Sequence, residues 1–406
     1  MSDLVPLERH RARVLAAVQQ LPETRVPLAE ALGCVLAQPV AALTAIPGFD
    51  NSAMDGYAVR HEDAARPGSV LRLVADVAAG SALDPPLLSG EAARIMTGAP
   101  VPGDADAIVP LEDTDLGIAI GPAAPSSIAV LVPPRAGAHI RRAGEDAIAG
   151  TEIVPAGSVL GPLQLSAAAS AGHPVLSVVR RARVAVISTG SELVPPGTIP
   201  RRGQVVESNS TLLAAAVREA GAEVTAIHTV DDDDDALRAA LQAACLDADA
   251  VILSGGVSVG AFDVVKAVLS TTGTVDFTRI AMQPGKPQGF GTASDGTLLF
   301  CLPGNPVSVA VSFEMFVRPA LKTAMGHREI DRPRVTRTAG EGWRTAAGRT
   351  QVMPAVVDDE LVWPASAGGS GSHLVGSLAA ANAFAIVPAD IDRVEPGDTV
   401  TVMLLT

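Results

Sequence analysis

From residue 183 to residue 325 the sequence alternates buried β-strand patterns with helical patterns, and this alternation restricts the possible fold most strongly. Apolar runs such as RVAVISTG and ADAVILSGG are each followed by a glycine-containing or polar turn and then by a helical pattern. This order favours a parallel sheet covered by helices on both faces. Ligands bind at the carboxyl ends of the strands in such a sheet, and the glycine-rich runs of this region follow those ends.

The elements predicted in this stretch are short and closely spaced. Strands are expected over RVAVISTG, AEVTAIHTV and ADAVILSGG and around residues 277–282 and 297–302, and helices over SNSTLLAAAVREAG and residues 233–245, 263–270 and 307–325. Ser208 or Asn209 is predicted to cap the first of these helices, and Gly221 to end it.

The flanking regions show different patterns. Residues 7–20 and 160–171 are predicted to be helices, with a shorter helix over residues 28–32. Residues 46–139 contain short β-like pieces separated by Pro, Gly and Asp, which predicts a small all-β module. Residues 327–406 contain strand-like pieces with many turn signals and predict a small β-barrel or sandwich.

The composition excludes several classes of function. A chain of 406 residues exceeds one hydrophobic core, so roughly two to four domains are expected. The formal net charge of -14 argues against duplex nucleic acid or an anionic membrane as a partner. No signal peptide or membrane span is recognised, and three separated cysteines fit reduced thiols. We expect a cytoplasmic protein with no nucleic-acid and no membrane partner.

The run DNSAMDGYA at residues 50–58 is the densest group of candidate ligands. Asp50, Asn51, Ser52 and Asp55 fall within six residues and precede Gly56, where backbone can approach a ligand closely. We predict that this run is a loop. Its side chains either form a metal or phosphate site or cap their own backbone in a turn.

Two loops that follow predicted strands could cradle anions. In STGSEL, backbone N–H groups around Thr189 and Gly190 could bind an anion, and Glu192 could face a metal or a ligand hydroxyl. SGGVSVGAFD is a stronger candidate because its glycines and serines stand between a buried strand and a helix that Asp263 can cap. It matches neither the P-loop nor the dinucleotide pattern. A phosphate-bearing ligand other than a standard dinucleotide is therefore favoured over a packing turn.

Two further loops are stiffened by proline. QPGKPQGFG holds Lys286 between two prolines at a strand end, which suits binding of an oxyanion. In LPGNPVS, Gly304 and Asn305 turn the chain and Ser308 lies near the positive end of the next helix. Each loop alone could be a simple turn between a strand and a helix, but together the two loops favour an anion pocket.

Two charged segments remain open to two interpretations, and a third segment adds a hydroxyl in a turn. IRRAGED is either a solvated salt-bridge cluster or a place where Arg141 clamps a phosphate. RIMTGAP places Thr97 in a glycine turn. The five aspartates at residues 231–235 fit helix capping and solvated charge, and a metal-binding role for Asp232 stays open.

Taken in order, DNSAMDGYA, RIMTGAPVP, RRAGED, STGSEL, SGGVSVGAFD, QPGKP and LPGNPVS resemble the molybdopterin molybdenumtransferase family, the MoeA-type proteins and the E domains of gephyrin and its plant counterpart. The resemblance covers nearly the whole chain. It implies a split helical domain (residues 1–45 and 140–178), an inserted β domain (46–139), a molybdopterin-binding α/β three-layer domain (179–326) and a C-terminal β-barrel-like domain (327–406).

The resemblance also implies an activity and partners. The family inserts molybdate into adenylylated molybdopterin with Mg2+, giving molybdenum cofactor and AMP. The implied assembly is a homodimer whose α/β site is completed by the inserted domain of the other subunit. Molybdopterin adenylyltransferase and proteins of molybdoenzyme maturation are the further partners expected.

Functional residues carry over by position. As catalytic residues the resemblance implies Asp55, Glu192, Asp263 and Lys286, and as metal ligands Asp55, Glu192, Asp232 and Asp263. Lys286 and Ser308 are the expected molybdate contacts. The implied substrate-binding residues are Thr97, Arg141, Asp146, Thr189, Gly190, Ser254, Gly255, Gly256, Ser258, Gln283, Gly304, Asn305, Ser308, Arg349, Ser370 and Ser372.

The chain departs from the family at two places. Gln283 stands where some members have lysine, and the C-terminal RTQVMP keeps Arg349 but has Pro354 where a second arginine is common. Two alternatives to the molybdate-inserting enzyme remain at this point. One is a non-catalytic scaffold of the gephyrin E-domain type, and the other is a tungstate-handling paralogue, since the two oxyanions share charge and differ little in size.

Overall fold

The chain folds into two compact units in a computed structural model that describes residues 4–118, 125–256, 264–272, 274–366 and 371–405. One unit comprises residues 25–32 and 38–176, and the other comprises the N-terminal 24 residues, 33–37 and 177–406. The chain passes between them four times, and the first and last of these passages fall within the strands Glu23–Pro27 and Val175–Val179. The division into four domains stays a prediction.

The smaller unit is built around a five-stranded sheet. In spatial order its strands are Ala107–Pro110, Gly56–Val59, Glu91–Ile95, Val70–Val77 and Ser127–Ala129. Two separate two-stranded sheets accompany it, namely Val40–Ala41 with Glu152–Val154 and Asn51–Ser52 with Ile140–Arg141. The remaining elements are the helix Pro162–Ser170 and the 3-10 turns Leu28–Glu30, His61–Ala64 and Leu111–Asp113. The predicted β module is confirmed, whereas residues 28–32 form only a 3-10 turn.

The run at residues 50–58 is not the loop that its polarity predicts. Asn51–Ser52 and Gly56–Val59 are strands, and only the three residues between them form a bend. The strand Gly56–Val59 can pack this closely against its neighbour only because residue 56 has no side chain. A Cβ there would lie 2.1 Å from the carbonyl oxygen of Val109 on the neighbouring strand. The glycine therefore serves strand packing in this place.

The larger unit contains a six-stranded sheet. Its spatial order is Glu223–Val230, Arg183–Thr189, Ala250–Ser254, Leu298–Leu302, Pro287–Thr292 and Val275–Arg279. The first four strands are parallel, as predicted. The last two run in an antiparallel hairpin, so the sheet is mixed rather than fully parallel.

Helices cover both faces of this sheet. The core on one face contains Val186 with residues of the helix Asn209–Glu219 and of the continuous segment Pro306–Ser312, Phe313–Val317 and Arg318–Ala324, whose middle turn is π-helical. The core on the other face contains Ile187 with residues of the helices Asp234–Cys245 and Val264–Thr272. The N-terminal helix Leu7–Ala17 places Val14 in the first core. The three-layer α/β arrangement is confirmed.

One strand of the hairpin falls in a segment that the sequence predicts to be a loop. Residues 283–291 read QPGKPQGFG, yet Pro287–Thr292 pairs with both neighbouring strands. A Cβ on Gly291 would lie 1.8 Å from the carbonyl oxygen of Thr274, and one on Gly289 would lie 2.8 Å from the ring of Phe277. Glycine is used here for close strand approach rather than for a turn.

The C-terminal part closes into a five-stranded barrel, which confirms the predicted β-barrel-like fold. Around the barrel the strands are Thr350–Val357, Leu361–Pro364, Arg334–Ala339, Thr399–Leu404 and Ala383–Val387, and the last pairs with the first. Smaller elements complete the unit: the paired strands Leu193–Val194 and Val205–Val206, the paired strands Trp343–Arg344 and Arg393–Val394, the strand Met282–Gln283 and the helix Val375–Ala380.

Two expectations drawn from composition can be compared with the structure. Cys34, Cys245 and Cys301 are free thiols, as predicted. Within the described ranges, the helices are all too short or too polar to cross a bilayer.

Candidate functional site

A cavity of about 820 Å³ lies at the carboxyl edge of the parallel strands. It is lined by segments that directly follow four strand ends, which is where ligands bind in open α/β sheets. Of the predicted site residues, those that line it are Thr189, Gly190, Glu192, Asp232, Ser254, Gly255, Gly256, Gln283, Lys286, Gly304, Asn305, Ser308 and Ser372.

The strand order arranges these residues along the cavity. Asp232 follows the edge strand Glu223–Val230, and Glu192 follows the strand next to it. Lys286 directly precedes Pro287–Thr292, which lies four strands away from the edge strand. Because Pro287–Thr292 is antiparallel to the others, its first residue lies at the same edge as their last residues. Four strand spacings correspond to about 19 Å. The carboxylates and the lysine therefore stand toward opposite ends of an elongated site.

Glycines form the wall between these ends. A Cβ on Gly255 would lie 2.5 Å from the carbonyl oxygen of Thr189 and 2.9 Å from its Oγ1, and one on Gly304 would lie 3.5 Å from the Cα of Gly255. Gly255 has a φ of +98° and Gly256 of +63°. Both the left-handed backbone and the crowding require glycine at Gly255, so bare backbone faces the cavity there.

Lys286 is the cation of the site. Its pKa is lowered by burial and by the charges of Arg279 and Arg349. Within the described part of the chain, none of these three residues forms an ion pair. In a chain with a net charge of -14 this is a local cluster of uncompensated positive charge. Arg349 itself does not line the cavity.

Hydrogen bonds fix the loops that carry the lysine and the oxyanion contacts. The buried Gln288 Nε2 donates to the Gly285 carbonyl oxygen and to Ser312 Oγ, both at 2.7 Å. This bond pair ties the Lys286 loop to the helix Pro306–Ser312. Asn305 Nδ2 donates to Ser372 Oγ at 2.9 Å. The cationic end of the cavity is therefore held in place before any ligand arrives.

The acidic end carries two exposed carboxylates. The backbone N–H of Ser191 donates to Asp232 Oδ2 at 3.1 Å, and the Glu192 carboxylate lies so close to Gly190 that a Cβ there would be 2.7 Å from Oε2. Carboxylate oxygens are ligands that Mg2+ prefers, so these side chains fit such an ion. Among the described residues, no group of three or more His, Cys, Asp or Glu is arranged to hold a metal.

The aspartate run divides into separate roles. Asp233 caps the helix Asp234–Cys245, since its Oδ1 accepts from the N–H of Ala236 at 2.7 Å. Arg238 lies 3.5 Å from Asp235. The predicted capping role is confirmed for Asp233, while Asp232 lines the cavity.

Glu207 is a cavity residue that the sequence did not reveal. It is buried, and its Oε1 accepts from Ser188 Oγ at 2.9 Å and from the N–H of Ser210 at 2.8 Å. Ser188 Oγ in turn lies 3.1 Å from Ser254 Oγ. Ser208 occupies the predicted N-cap position of the helix Asn209–Glu219 but makes no side-chain cap bond, and Glu207 supplies that bond instead. The signal available in the sequence was a glutamate directly before the predicted N-cap of a helix.

Asn209 is a second lining residue that was not assigned to the site. Its Nδ2 donates to the carbonyl oxygen of Gly304 at 2.7 Å. Asn209 Oδ1 and Thr189 Oγ1 are both buried, and within the described ranges neither has a hydrogen-bond partner. Both residues line the cavity.

The predicted residues of the smaller unit form local contacts of their own. Asp55 Oδ1 accepts from the N–H of Thr97 at 2.6 Å and from its Oγ1 at 2.8 Å. Asp50 accepts from Arg142 Nη1 at 2.6 Å and from the N–H of Ala143 at 2.7 Å. These bonds lower the pKa of Asp50, and both come from a distant segment of the chain, so they tie two segments together rather than cap the turn at Asp50 itself.

The remaining predicted residues of this unit are Arg141 and Asp146. Arg141 and Asp146 are exposed, and Arg141 pairs through its backbone with Asn51. In this segment Arg142 forms an ion pair with Asp50, and within the part of the chain that the structure describes the Arg141 side chain forms none. Ser258, Asp263 and Ser370 lie outside the described residues.

Models of known protein families match most of the chain. The MoeA N-terminal region (domain I and II) matches residues 5–172, the probable molybdopterin binding domain matches residues 185–323, and the MoeA C-terminal region (domain IV) matches residues 336–405. The cavity residues from Thr189 to Ser308 fall within the second match.

Individual proteins are similar over the full length. Molybdopterin molybdenumtransferase 2 of Mycobacterium tuberculosis (strain CDC 1551 / Oshkosh) is 43% identical, with 98% of this chain and 99% of that protein covered. Molybdopterin molybdenumtransferase 1 of the same strain is 35% identical, with 98% of both covered. The solved structure of the molybdopterin biosynthesis MoeA protein from Pyrococcus horikosii is 32% identical and gives a TM-score of 0.82, with 99% of both chains covered.

Proposed function

Because the chain belongs to the MoeA family of molybdopterin molybdenumtransferases, enzymes of molybdenum cofactor biosynthesis, we propose that it inserts molybdate into adenylylated molybdopterin with Mg2+, giving molybdenum cofactor and AMP. The family and the transferase class predicted from the motifs are confirmed by these relatives. The substrates, the metal and the residue roles are our proposal.

The observation that carries this proposal is the separation of acidic and basic side chains toward opposite ends of the cavity. An elongated site has two exposed carboxylates toward one end, a glycine wall in the middle and, toward the other end, a lysine that forms no ion pair with the described residues. An adenylylated pterin is a long ligand with a pyrophosphate, and molybdate is a separate dianion. Such a pair of substrates needs a backbone cradle, a cation for the oxyanion and acids for a counter-ion.

The cationic end suits molybdate. Lys286 and the buried Ser308 line the cavity, and Arg279 and Arg349 add positive charge around Lys286. Oxyanion binding would relieve the repulsion among these cations. Lys286 thus orients the oxyanion and Ser308 donates to it, while Gln283 leaves this loop with one cation fewer than in some relatives.

The acidic end suits Mg2+. Glu192 and Asp232 would hold the ion, together with Asp263 and with Asp55 from the other subunit. Bound there, Mg2+ would neutralise charge on the phosphates of the substrate. Thr97 donates two hydrogen bonds to Asp55, and the exposed Arg141 would contact phosphate.

Release of AMP tests the enzyme directly. The purified chain, given adenylylated molybdopterin, Mg2+ and molybdate, should release AMP in step with cofactor formation. Glu192→Gln should lower this rate by about 100-fold or more while leaving the far-UV spectrum unchanged, because a carboxylate that acts on the reaction is removed. Glu341→Gln, a change at an exposed acid outside the cavity, should retain the wild-type rate.

Two outcomes would favour the alternatives. A protein that binds molybdopterin without ever releasing AMP supports a scaffold, and wild-type turnover in Glu192→Gln contradicts the role of that acid. Tungstate in place of molybdate, compared at equal concentration, tests the paralogue hypothesis. The larger rate identifies the oxyanion that the site prefers.

The proposal includes an assembly and a cellular setting. We propose a cytoplasmic homodimer in which Asp55 of one subunit serves the cavity of the other. Molybdopterin adenylyltransferase would supply the substrate, and molybdoenzyme-maturation proteins would receive the product.

A further inference from the structure

Two buried polar atoms in the cavity wall lack a hydrogen-bond partner among the described residues. They are Thr189 Oγ1 and Asn209 Oδ1, and Thr189 is only 5% exposed. A buried polar atom without a partner costs free energy, so native proteins satisfy nearly all of them with protein, water or ligand. Two such atoms in the wall of one cavity point to groups supplied by a ligand.

A chain of short contacts connects the two atoms. Gly255 packs against Thr189, because a Cβ on it would lie 2.9 Å from Oγ1. Gly304 packs against Gly255, with a hypothetical Cβ 3.5 Å from the Gly255 Cα. Asn209 binds the Gly304 carbonyl oxygen at 2.7 Å. The two atoms therefore belong to one continuous patch over the middle strands of the sheet.

The hydrogen bond to Gly304 determines which ligand group can bind. A carbonyl oxygen only accepts, so the Asn209 atom that bonds to it must be the NH2 group. The free atom is then the amide oxygen, which also only accepts. Molybdate and ionised phosphate have only acceptor oxygens and cannot satisfy it. The complement of Asn209 Oδ1 is an N–H or O–H donor.

We propose that Thr189 Oγ1 and Asn209 Oδ1 form an acceptor subsite that binds the exocyclic amino group of a heterocycle of the substrate. The proposal rests on the proposed function, since adenylylated molybdopterin carries two such heterocycles, pterin and adenine. Both present an exocyclic amino group, and the subsite recognises this shared chemistry. The oxyanions bind elsewhere, at the Lys286 end.

Ligand pairs that differ in the amino donor test the subsite on the purified full chain. The first pair is AMP and purine riboside 5′-monophosphate, which lacks the amino group. The second pair is 6-hydroxymethylpterin and its N,N-dimethyl derivative. Calorimetry should show about 3- to 10-fold tighter binding of the donor-bearing member in at least one pair, as expected for one or two net hydrogen bonds. The pair that shows the difference identifies the heterocycle.

Variants attribute this preference to the two atoms. Thr189→Val removes the hydroxyl at constant size and should reduce the affinity ratio within the pair, whereas Thr189→Ser should keep it. Asn209→Leu should bring the ratio close to one. Because the Thr189 hydroxyl has no hydrogen-bond partner among the residues that the structure describes, Thr189→Val should leave the melting temperature unchanged or raise it. A melting temperature that falls in Thr189→Val but not in Thr189→Ser would show a structural hydroxyl and overturn the assignment.

The remaining outcomes separate this inference from the proposed function. Equal affinities in both pairs for the wild type, or ratios that persist in Thr189→Val and Asn209→Leu, overturn the subsite even when AMP release is normal. A clear preference that both variants abolish, in a protein that never releases AMP, supports the subsite and overturns the enzymatic proposal.

Discussion

At the residue scale, the surroundings of Lys286 disfavour its charged form. Burial and the charges of Arg279 and Arg349 lower its pKa below the usual value for lysine. The charged form is disfavoured in the empty site, and an anion that binds there reverses the balance. The residue is therefore a pH-sensitive component of the proposed oxyanion site.

The first prediction concerns the pH dependence of molybdate binding. Only the protonated lysine attracts a dianion, so molybdate affinity should fall as pH rises through the lowered pKa of Lys286. Arg279→Gln removes one repelling charge and should move this fall to higher pH. Calorimetric titrations between about pH 7 and 10.5 would measure it. Arg334→Gln, at an exposed position of the barrel, should leave the pH of the fall unchanged, and an identical shift in both variants would contradict the local effect.

His10 illustrates a residue whose burial affects stability rather than binding. It is 3% exposed, packs edge-on against Phe316 with ring centroids 4.8 Å apart, and has its pKa lowered to about 4 by burial and by Arg13. In the unfolded chain a histidine has a pKa of about 6.5. Between these values the unfolded state binds the proton and the folded state does not.

The second prediction follows from that difference. As pH falls from about 6.5 through 4, the folded protein should lose up to about 3 kcal/mol through His10. His10→Leu should remove this share, so urea midpoints at pH 4.5 and 7 should lie closer together than in wild type. His327, whose pKa is also lowered to about 4, remains in the variant and leaves a residual acid sensitivity. An unchanged gap between the two midpoints would mean that His10 protonates freely in the folded state.

At the scale of elements, strand Pro287–Thr292 separates what the sequence predicts from what it does not. Residues 184–187 and 250–253 are uninterrupted apolar runs, and the structure confirms that they lie in the strands Arg183–Thr189 and Ala250–Ser254. Residues 287–292 contain proline and two glycines, which resemble a loop when read alone. Only the neighbouring strands explain the glycines, and such long-range contacts leave no local signal.

The third prediction tests this close approach. Gly291→Ala should destabilise the larger unit by about 3 kcal/mol or more, because its Cβ would fall 1.8 Å from a backbone oxygen that cannot move aside cheaply. Gly376→Ala is the matched control, since nothing lies within 4 Å of that position and it belongs to a helix. The control should gain up to about 1 kcal/mol. Thermal unfolding of both proteins, or the soluble yield when the first fails to fold, would measure the contrast.

The site also contains residues that the sequence predicts and residues that only the folded structure shows. Residues after strand ends were predicted because glycine, serine and charge concentrate there, and the cavity lies at that edge. Asn209 was missed because a possible capping role at the start of a helix explained it adequately, and Glu207 was missed because it lies outside every motif that the sequence analysis considered. Their role depends on Ser188, Ser254 and Gly304, which approach only after the sheet has formed.

At the scale of the whole molecule, the two units hold different parts of the proposed machinery. Asp55, Thr97 and Arg141 belong to one unit, and Glu192 and Lys286 belong to the other. The homodimer proposal assigns Asp55 to the cavity of the partner subunit. Light scattering should then give twice the chain mass of 41.2 kDa, and a single-chain mass would contradict the shared site.

The fourth prediction uses two inactive variants to test that sharing. Asp55→Asn keeps the oxygen that accepts from Thr97, so its loop should stay folded while the carboxylate charge is lost. When Asp55→Asn and Glu192→Gln chains are refolded together in equal amounts, half of the dimers should be mixed. If Asp55 acts across the dimer, each mixed dimer has one intact site, and AMP release should recover to about a quarter of the wild-type rate. If Asp55 acts within its own subunit, every site carries one of the changes and no rate returns. Each variant refolded alone is the control, and its rate must stay near zero.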